Sequence, residues 1–137
     1  MSGGGAEPPF EQLAFVYAPC GDVAAELEHL AATVGAEIVF AIEAFGARVA
    51  MVRLAGEPPE LLLADHLEGE RPVLVYRVAD LERAVAELRA RACDVGPRFE
   101  IPHGPCHEFR TPGGQRLAIY ELTRPDVGAR FAGRRDF

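Results

Sequence analysis

The 137-residue sequence has no apolar run approaching the roughly 20 residues that a helix needs to cross a bilayer. Its opening residues also lack the basic segment followed by an apolar segment that marks a secretory signal. We therefore expect residues 1–9 to be a flexible leader and the protein to have no membrane partner. Cysteine is scarce, and an odd set without an export signal is typical of a reducing cytoplasm rather than of a disulfide framework: Cys20, Cys93 and Cys106.

Basic residues are outnumbered. Lysine and arginine total 14 against 21 acidic residues, which gives a formal net charge of −7. Binding to nucleic acid requires a basic face, and the short arginine cluster within 130–135 is too small to supply one. We expect no nucleic-acid partner. The acidic surface favours solubility, and attraction of a cationic ligand is the alternative interpretation.

The first half of the chain has the pattern of a strand, a helix and three further strands. Apolar residues at spacings of three and four predict an amphipathic helix over 23–34, with Asp22 as its N-cap and Gly35 as its end. Strands are predicted on either side of this helix over 11–19, 36–46, 47–56 and 61–67.

The same pattern recurs in the second half. A helix is predicted over 81–93 after an Asp80 cap, and the strands are predicted over 71–80, around 95–102, around 106–112 and over 115–122. Val16-Tyr17 in the first half matches Val75-Tyr76 in the second. Because a unit of about 60 residues buries too little apolar surface to be stable alone, we expect an α+β fold in which two modules share a core.

Two stretches carry a resemblance to a known family. The strand-turn-strand FRTPGGQRLAIYE (109–121) and the strand-helix junction VYRVADLERAVAEL (75–88) resemble the vicinal oxygen chelate superfamily, which includes glyoxalase I, extradiol dioxygenases and bleomycin resistance proteins. The resemblance implies a single domain over 10–124, with two paired βαβββ modules, about 10–68 and 70–124, forming a glyoxalase-like half-barrel sheet. It leaves 125–137 as a C-terminal tail, and it implies a homodimer.

In its enzymes, the superfamily binds a divalent metal such as Fe, Mn, Zn or Ni through His, Gln or Glu on the first and last strands of each module. In the second module, these positions fall on Val73 and Ala118, which cannot ligate. In the first module they fall within 12–14 and 60–62, where only Gln12 and Glu60 could serve. We therefore expect the usual metal to be absent and no cofactor to be bound.

A relocated metal site is the alternative. It would be drawn from Gln12, Glu60, His103, His107 and Glu121. His103 and His107 would share one face of an extended strand, but about 13 Å apart, so a bend at Gly104-Pro105 would be needed to bring them to one ion. Cys106 and His107 are adjacent in that strand and point to opposite faces, which argues against a catalytic pair.

Aromatic and soft side chains on the strands favour an apolar pocket with a few polar groups, as is typical of small-molecule sites. The residues expected to contact a ligand are Tyr17, Phe40, Met51, Tyr76, His103, His107 and Phe109. We expect Phe131 and Phe137 of the tail to pack back on the domain or onto a partner. The predicted function is metal-independent binding of a small organic molecule, in the manner of bleomycin resistance proteins. The alternatives are a metal-dependent lyase, isomerase or dioxygenase with a relocated site, and a dimeric interaction subunit.

Overall fold

A computed structural model describes residues 10–44 and 46–137, so the predicted leader over 1–9 lies outside the described residues. Its elements follow the predicted order, β-α-β-β-β twice, with a short helix added at the end. They are β1 (Gln12–Pro19), α1 (Val23–Val34), β2 (Glu37–Ala44), β3 (Ala47–Arg53), β4 (Glu60–Ala64), β5 (Val73–Arg77), α2 (Leu81–Ala90), β6 (Arg98–Ile101), β7 (Gly104–Arg110), β8 (Arg116–Tyr120) and α3 (Val127–Phe131).

Side-chain caps fix where the two long helices begin. The Asp22 carboxylate accepts the Ala25 N–H at 3.0 Å, and Asp80 accepts the corresponding N–H of α2 at 3.1 Å, which confirms both predicted N-caps. Helix α1 ends at Gly35, whose φ of +67° lies in the left-handed region that favours glycine. Helix α2 ends three residues before its predicted end, because Ala92 takes a left-handed φ of +63°. None of the helices in the described part of the chain is long and apolar enough to cross a membrane.

All eight strands form one sheet in the order β2-β3-β4-β1-β5-β8-β7-β6. Each module contributes four neighbouring strands, and the modules join where β1 and β5 run antiparallel. Within each module, the first strand lies parallel to the last, β1 to β4 and β5 to β8. The sheet curls into a half-barrel, so the predicted α+β fold of two paired βαβββ modules is confirmed.

The pairing of β1 with β5 relates the two modules by an approximate twofold axis. Phe15 pairs with Val75, and Tyr17 pairs with Val73. Exchanging the two strands therefore superposes Phe15 on Val73 and Tyr17 on Val75. A bulge between Leu13 and Phe15 shifts the register by one residue on β1.

The two faces of the sheet carry different layers. The outer face is covered by the helices: α1 buries Leu27 against its own module, and α2 buries Leu88 in a cluster that includes Ile119 of β8. The concave inner face carries the largest apolar cluster, in which Phe40 and Leu62 are completely buried. A functional site on the concave face is therefore built from strand residues that point away from the helices.

The C-terminal residues cover the free edge of the sheet at β2. The Asp136 N–H donates to the Ala41 carbonyl at 2.7 Å, so the tail pairs with the edge strand and leaves it less available to other chains. The Phe131 ring lies 5.7 Å from the Phe40 ring, and Phe137 packs on the α1 side of the sheet. Both tail phenylalanines pack back on the domain, as predicted.

Candidate functional site

Two cavities open on the concave face, one in each module. The module-one cavity has a volume of about 550 Å³, within the range typical of small-molecule sites. Its walls come from the strands of module one, from the ends of β5 and β8, from the β6–β7 turn and from the tail. They include Gln12, Phe15, Met51, Arg53, Glu60, Arg77, His103, Tyr120, Leu122 and Gly133.

The module-two cavity is of similar size, about 520 Å³. It lies against the strands of module two and the linker between the modules, and Tyr17 is the residue that β1 contributes to it. Its walls include Tyr17, His66, Leu67, Val73, Val75, Phe99, Ile101, Cys106, Glu108, Arg110 and Arg116.

An ion pair and a buried imidazole provide polar groups in the module-one cavity. The Glu60 carboxylate accepts two hydrogen bonds from Arg53, at 2.8 Å from Nη2 and 3.2 Å from Nε. His103 is 8% exposed, and its ring centroid lies 4.6 Å from that of Phe15. Burial lowers the pKa of His103 below its usual value, and the nearby Glu60 carboxylate only partly opposes this effect. The imidazole is therefore neutral at pH 7.

His103 has an unused hydrogen-bonding atom. Its Nδ1 is buried and has no hydrogen-bond partner among the described residues. A buried polar atom without a partner costs roughly 1–3 kcal/mol, so such atoms are rare in folded proteins unless a ligand or water satisfies them. The cavity wall therefore contains a side chain whose polarity the fold itself does not use.

His107 and Glu121 are directed elsewhere. Because β7 begins at Gly104, His103 lies in the preceding turn and does not follow the strand alternation that would place it with His107. His107 is on the helix-covered face, where its Nδ1 is 2.8 Å from the Gly96 carbonyl oxygen. The Glu121 carboxylate accepts the Leu81 N–H at 2.8 Å, at the beginning of α2. Of the five residues considered for a relocated metal, three line the module-one cavity: Gln12, Glu60 and His103. The other two, His107 and Glu121, do not.

The other residues expected to contact a ligand are distributed over both faces. Met51 lines the module-one cavity and Tyr17 the module-two cavity. Phe40 is fully buried, packs against Phe131 with the two rings tilted by 55°, and lines neither cavity. Tyr76 and Phe109 pack in the cluster that α2 covers, on the opposite face of the sheet.

The module-two cavity contains groups that are held in unreactive states. The Tyr17 hydroxyl lies 3.4 Å from Nε2 of His66, and burial raises the pKa of Tyr17 to about 12. Cys106 is fully buried, and desolvation raises the pKa of its thiol to about 12, so a nucleophilic thiolate is not available there.

Sequence reasoning missed Arg116, which lines the module-two cavity although it is only 6% exposed. Its Nε donates to Glu108 at 2.8 Å, and its Nη1 donates to the Glu68 and Arg71 carbonyls at 2.7 and 2.9 Å. The available signal was an arginine at the start of an otherwise apolar strand. Arg116 fixes the linker that forms one wall of this cavity.

The internal symmetry places the four metal-ligand positions that the resemblance implies. On the first strands they are Phe15 and its equivalent Val73, rather than a residue within 12–14, because the strand pairing makes Val16 equivalent to Leu74 and not to Val75. On the last strands, Tyr17 pairs with Leu62 of β4, and its equivalent Val75 pairs with Ala118 of β8. The four positions are thus Phe15, Leu62, Val73 and Ala118, all apolar and each at most 6% exposed. In the part of the chain that the structure describes, no group of three or more His, Cys, Asp or Glu side chains could hold a metal ion.

Two βαβββ modules joined edge to edge around a concave cavity define the fold of the vicinal oxygen chelate superfamily. Methylmalonyl-CoA epimerase from Mycobacterium tuberculosis shares this fold, with a TM-score of 0.71 and 18% identity over 88% of this chain and 93% of that one. A methylmalonyl-CoA epimerase solved with methylmalonyl-CoA and ammonium gives a TM-score of 0.67 and 18% identity, over 84% and 96%. A hypothetical protein from Bacillus halodurans C-125 gives 0.64 and 13%, over 80% and 93%.

At these identities the likeness shows the fold and not the activity. No protein-family model matches the sequence. No curated protein matches it significantly.

Proposed function

We propose that this protein binds a small organic molecule in the module-one cavity without the divalent metal of the superfamily's enzymes. The observation that carries this proposal is the occupation of all four ligand positions by Phe15, Leu62, Val73 and Ala118. An apolar side chain cannot coordinate a cation, and burying these four stabilises the centre of the sheet.

The module-one cavity is favoured over the module-two cavity because of its polar groups. His103 lies in a wall that also contains the apolar side chains of Phe15 and Met51, and its buried Nδ1 has no hydrogen-bond partner among the described residues. In the module-two cavity, the buried Arg116 guanidinium already has three hydrogen-bond acceptors. A wall that combines apolar side chains with an imidazole whose Nδ1 has no partner among the described residues suits recognition of a small molecule.

A metal-dependent enzyme with a relocated site is the competing function, since Gln12, Glu60 and His103 line the same cavity. The Glu60 carboxylate is occupied by Arg53, and coordination would require this ion pair to break.

Two measurements test the proposal. Elemental analysis of protein purified without a polyhistidine tag should give well under one equivalent of Fe, Mn, Zn or Ni. A thermal-shift screen with methylmalonyl-CoA, a glutathione thioester, catechol, fosfomycin and bleomycin should identify a stabilising ligand whose effect survives EDTA. Stoichiometric metal whose removal abolishes binding would overturn the proposal in favour of the enzyme, and the absence of any stabilising compound would favour an interaction subunit.

We also propose that the protein is a homodimer, as the superfamily resemblance implies. Multi-angle light scattering of the full chain should give about twice the 14.8 kDa mass of one chain. A monomer at micromolar concentration would contradict this.

A further inference from the structure

His103 occupies an unusual position in the module-one cavity. The side chain is more than nine-tenths buried, yet Nδ1 has no partner among the residues that the structure describes. A leucine at this position would bury similar volume without a polar atom to desolvate, so the fold would be more stable without the imidazole. The polarity of His103 is thus a cost to the unliganded protein.

His107 provides the comparison within the same segment. It is four residues further along, and its Nδ1 is 2.8 Å from the Gly96 carbonyl oxygen, which ties β7 to the chain ahead of β6. One histidine of the pair therefore supports the fold through a hydrogen bond, and the other does not. Only His103 lines the cavity.

The charged groups around the cavity are already paired. Arg53 lies 2.8 Å from Glu60 and 3.6 Å from Glu37, and Arg77 lies 3.5 Å from Glu11. A charged ligand would have to compete with these carboxylates or arginines for its partner, and it would lose hydration on entering. An uncharged ligand meets no such competition.

We propose that His103 is a ligand-contacting residue, and that the module-one cavity takes an uncharged molecule whose apolar body carries a hydrogen-bonding amide, carbonyl or hydroxyl group. The inference rests on the proposed function and specifies its ligand class. The polar group of the ligand meets the imidazole, and the apolar body packs on Phe15 and Met51. Burial lowers the pKa of His103, so the imidazole contributes a hydrogen bond and not a positive charge.

The test uses two probes of almost identical shape, 2-naphthamide and 2-naphthoate, with the full chain and three variants: His103→Leu, His103→Gln and His107→Leu. Affinity is measured by titration calorimetry and stability by thermal unfolding without ligand. We expect wild type to bind 2-naphthamide more tightly than 2-naphthoate. We expect His103→Leu to weaken 2-naphthamide binding about tenfold, the effect of losing one hydrogen bond, and His103→Gln to retain part of it.

Stability separates a ligand-binding role from a structural one. Without ligand, His103→Leu should unfold at a higher temperature than wild type, because it removes the unpaired polar atom. His107→Leu should unfold at a lower temperature, because it leaves the Gly96 carbonyl without its partner, yet it should bind 2-naphthamide as tightly as wild type.

Each contrary result has a distinct meaning. Equal 2-naphthamide affinity in wild type and His103→Leu, or a lower unfolding temperature for His103→Leu, overturns the role of His103 and leaves the proposed function intact. Tighter binding of 2-naphthoate overturns the ligand class. If wild type binds neither probe nor any compound of the thermal-shift screen, the proposed function fails and this inference fails with it.

Discussion

Arg116 connects β8 to the linker between the modules, and replacing it with methionine should destabilise the protein by about 3 kcal/mol. Its guanidinium makes three hydrogen bonds while only 6% exposed. The two bonds to the Glu68 and Arg71 carbonyls contribute roughly 1 kcal/mol each. Removing one partner of a buried ion pair costs about 3–5 kcal/mol, but the Glu108 side chain is 25% exposed. Water therefore relieves most of that cost, and we assign about 1 kcal/mol to the pair.

Urea unfolding followed by circular dichroism measures the effect. With a slope of about 2 kcal/mol per molar urea, a loss of about 3 kcal/mol lowers the midpoint by about 1.5 M. Because small domains are stable by roughly 5–15 kcal/mol, Arg116→Met should still fold.

A double-mutant cycle isolates the ion pair. Combining Arg116→Met with Glu108→Gln should cost less than the sum of the two single changes, because the carboxylate that Arg116→Met leaves unpaired is absent. Arg110→Met is the matched control: Arg110 lies 3.8 Å from the same carboxylate but is 66% exposed, so its loss should cost under about 0.5 kcal/mol. A midpoint for Arg116→Met within about 0.3 M of the Arg110→Met midpoint would refute the reasoning.

Three further predictions follow from burial and packing. Cys106 should remain unmodified by dithionitrobenzoate in the folded protein, while the other two thiols react; modification of all three without unfolding would contradict its burial. The free energy of unfolding should fall as the pH drops below about 6.5, because the unfolded imidazole of His103 gains its proton at a higher pH than the folded one. Glu60 and Arg124 are the charges that act on it, and a His103→Leu variant with an unchanged pH dependence would disprove this assignment. Phe131→Ala should cost about 2 kcal/mol, since this partly buried ring packs on the inner core; an unchanged unfolding temperature would show that the tail contributes little.

Local signals located the elements well, because their causes are local. Asp22 and Asp80 cap helices through bonds to residues three positions further on, so a short window of sequence contains the whole interaction. The alternation of apolar residues predicted the strands, and the repetition of the pattern predicted two modules. Boundaries were less accurate where a single residue decided them, as at Ala92, whose left-handed backbone ends α2 early.

The candidate site was less accessible from the sequence, because it depends on register between distant strands. The pairing of β1 with β5 makes Phe15 the equivalent of Val73, which moves the first ligand position by at least one residue from the predicted range. His103 and His107 have the even spacing of residues on one strand face. However, His103 lies in the turn before β7, which begins at Gly104, so the two side chains do not share a face. Arg116 stood out only as an arginine at the start of an apolar strand, and its partners could not be predicted because they lie 8, 45 and 48 residues away in the sequence.

The sequence by itself determined that the protein is built from two βαβββ modules, since periodicity and capping act over a few residues. The family resemblance added that Val73 and Ala118 stand at ligand positions, where neither side chain can hold a metal. Only the tertiary structure decided which side chains share the concave face. The face to which a side chain points depends on strand register, and a shift of one residue moves it to the opposite face. The tertiary structure assigned His103 to a cavity with an unpaired nitrogen, His107 to a hydrogen bond on the other face, and Phe15 to the centre of the sheet.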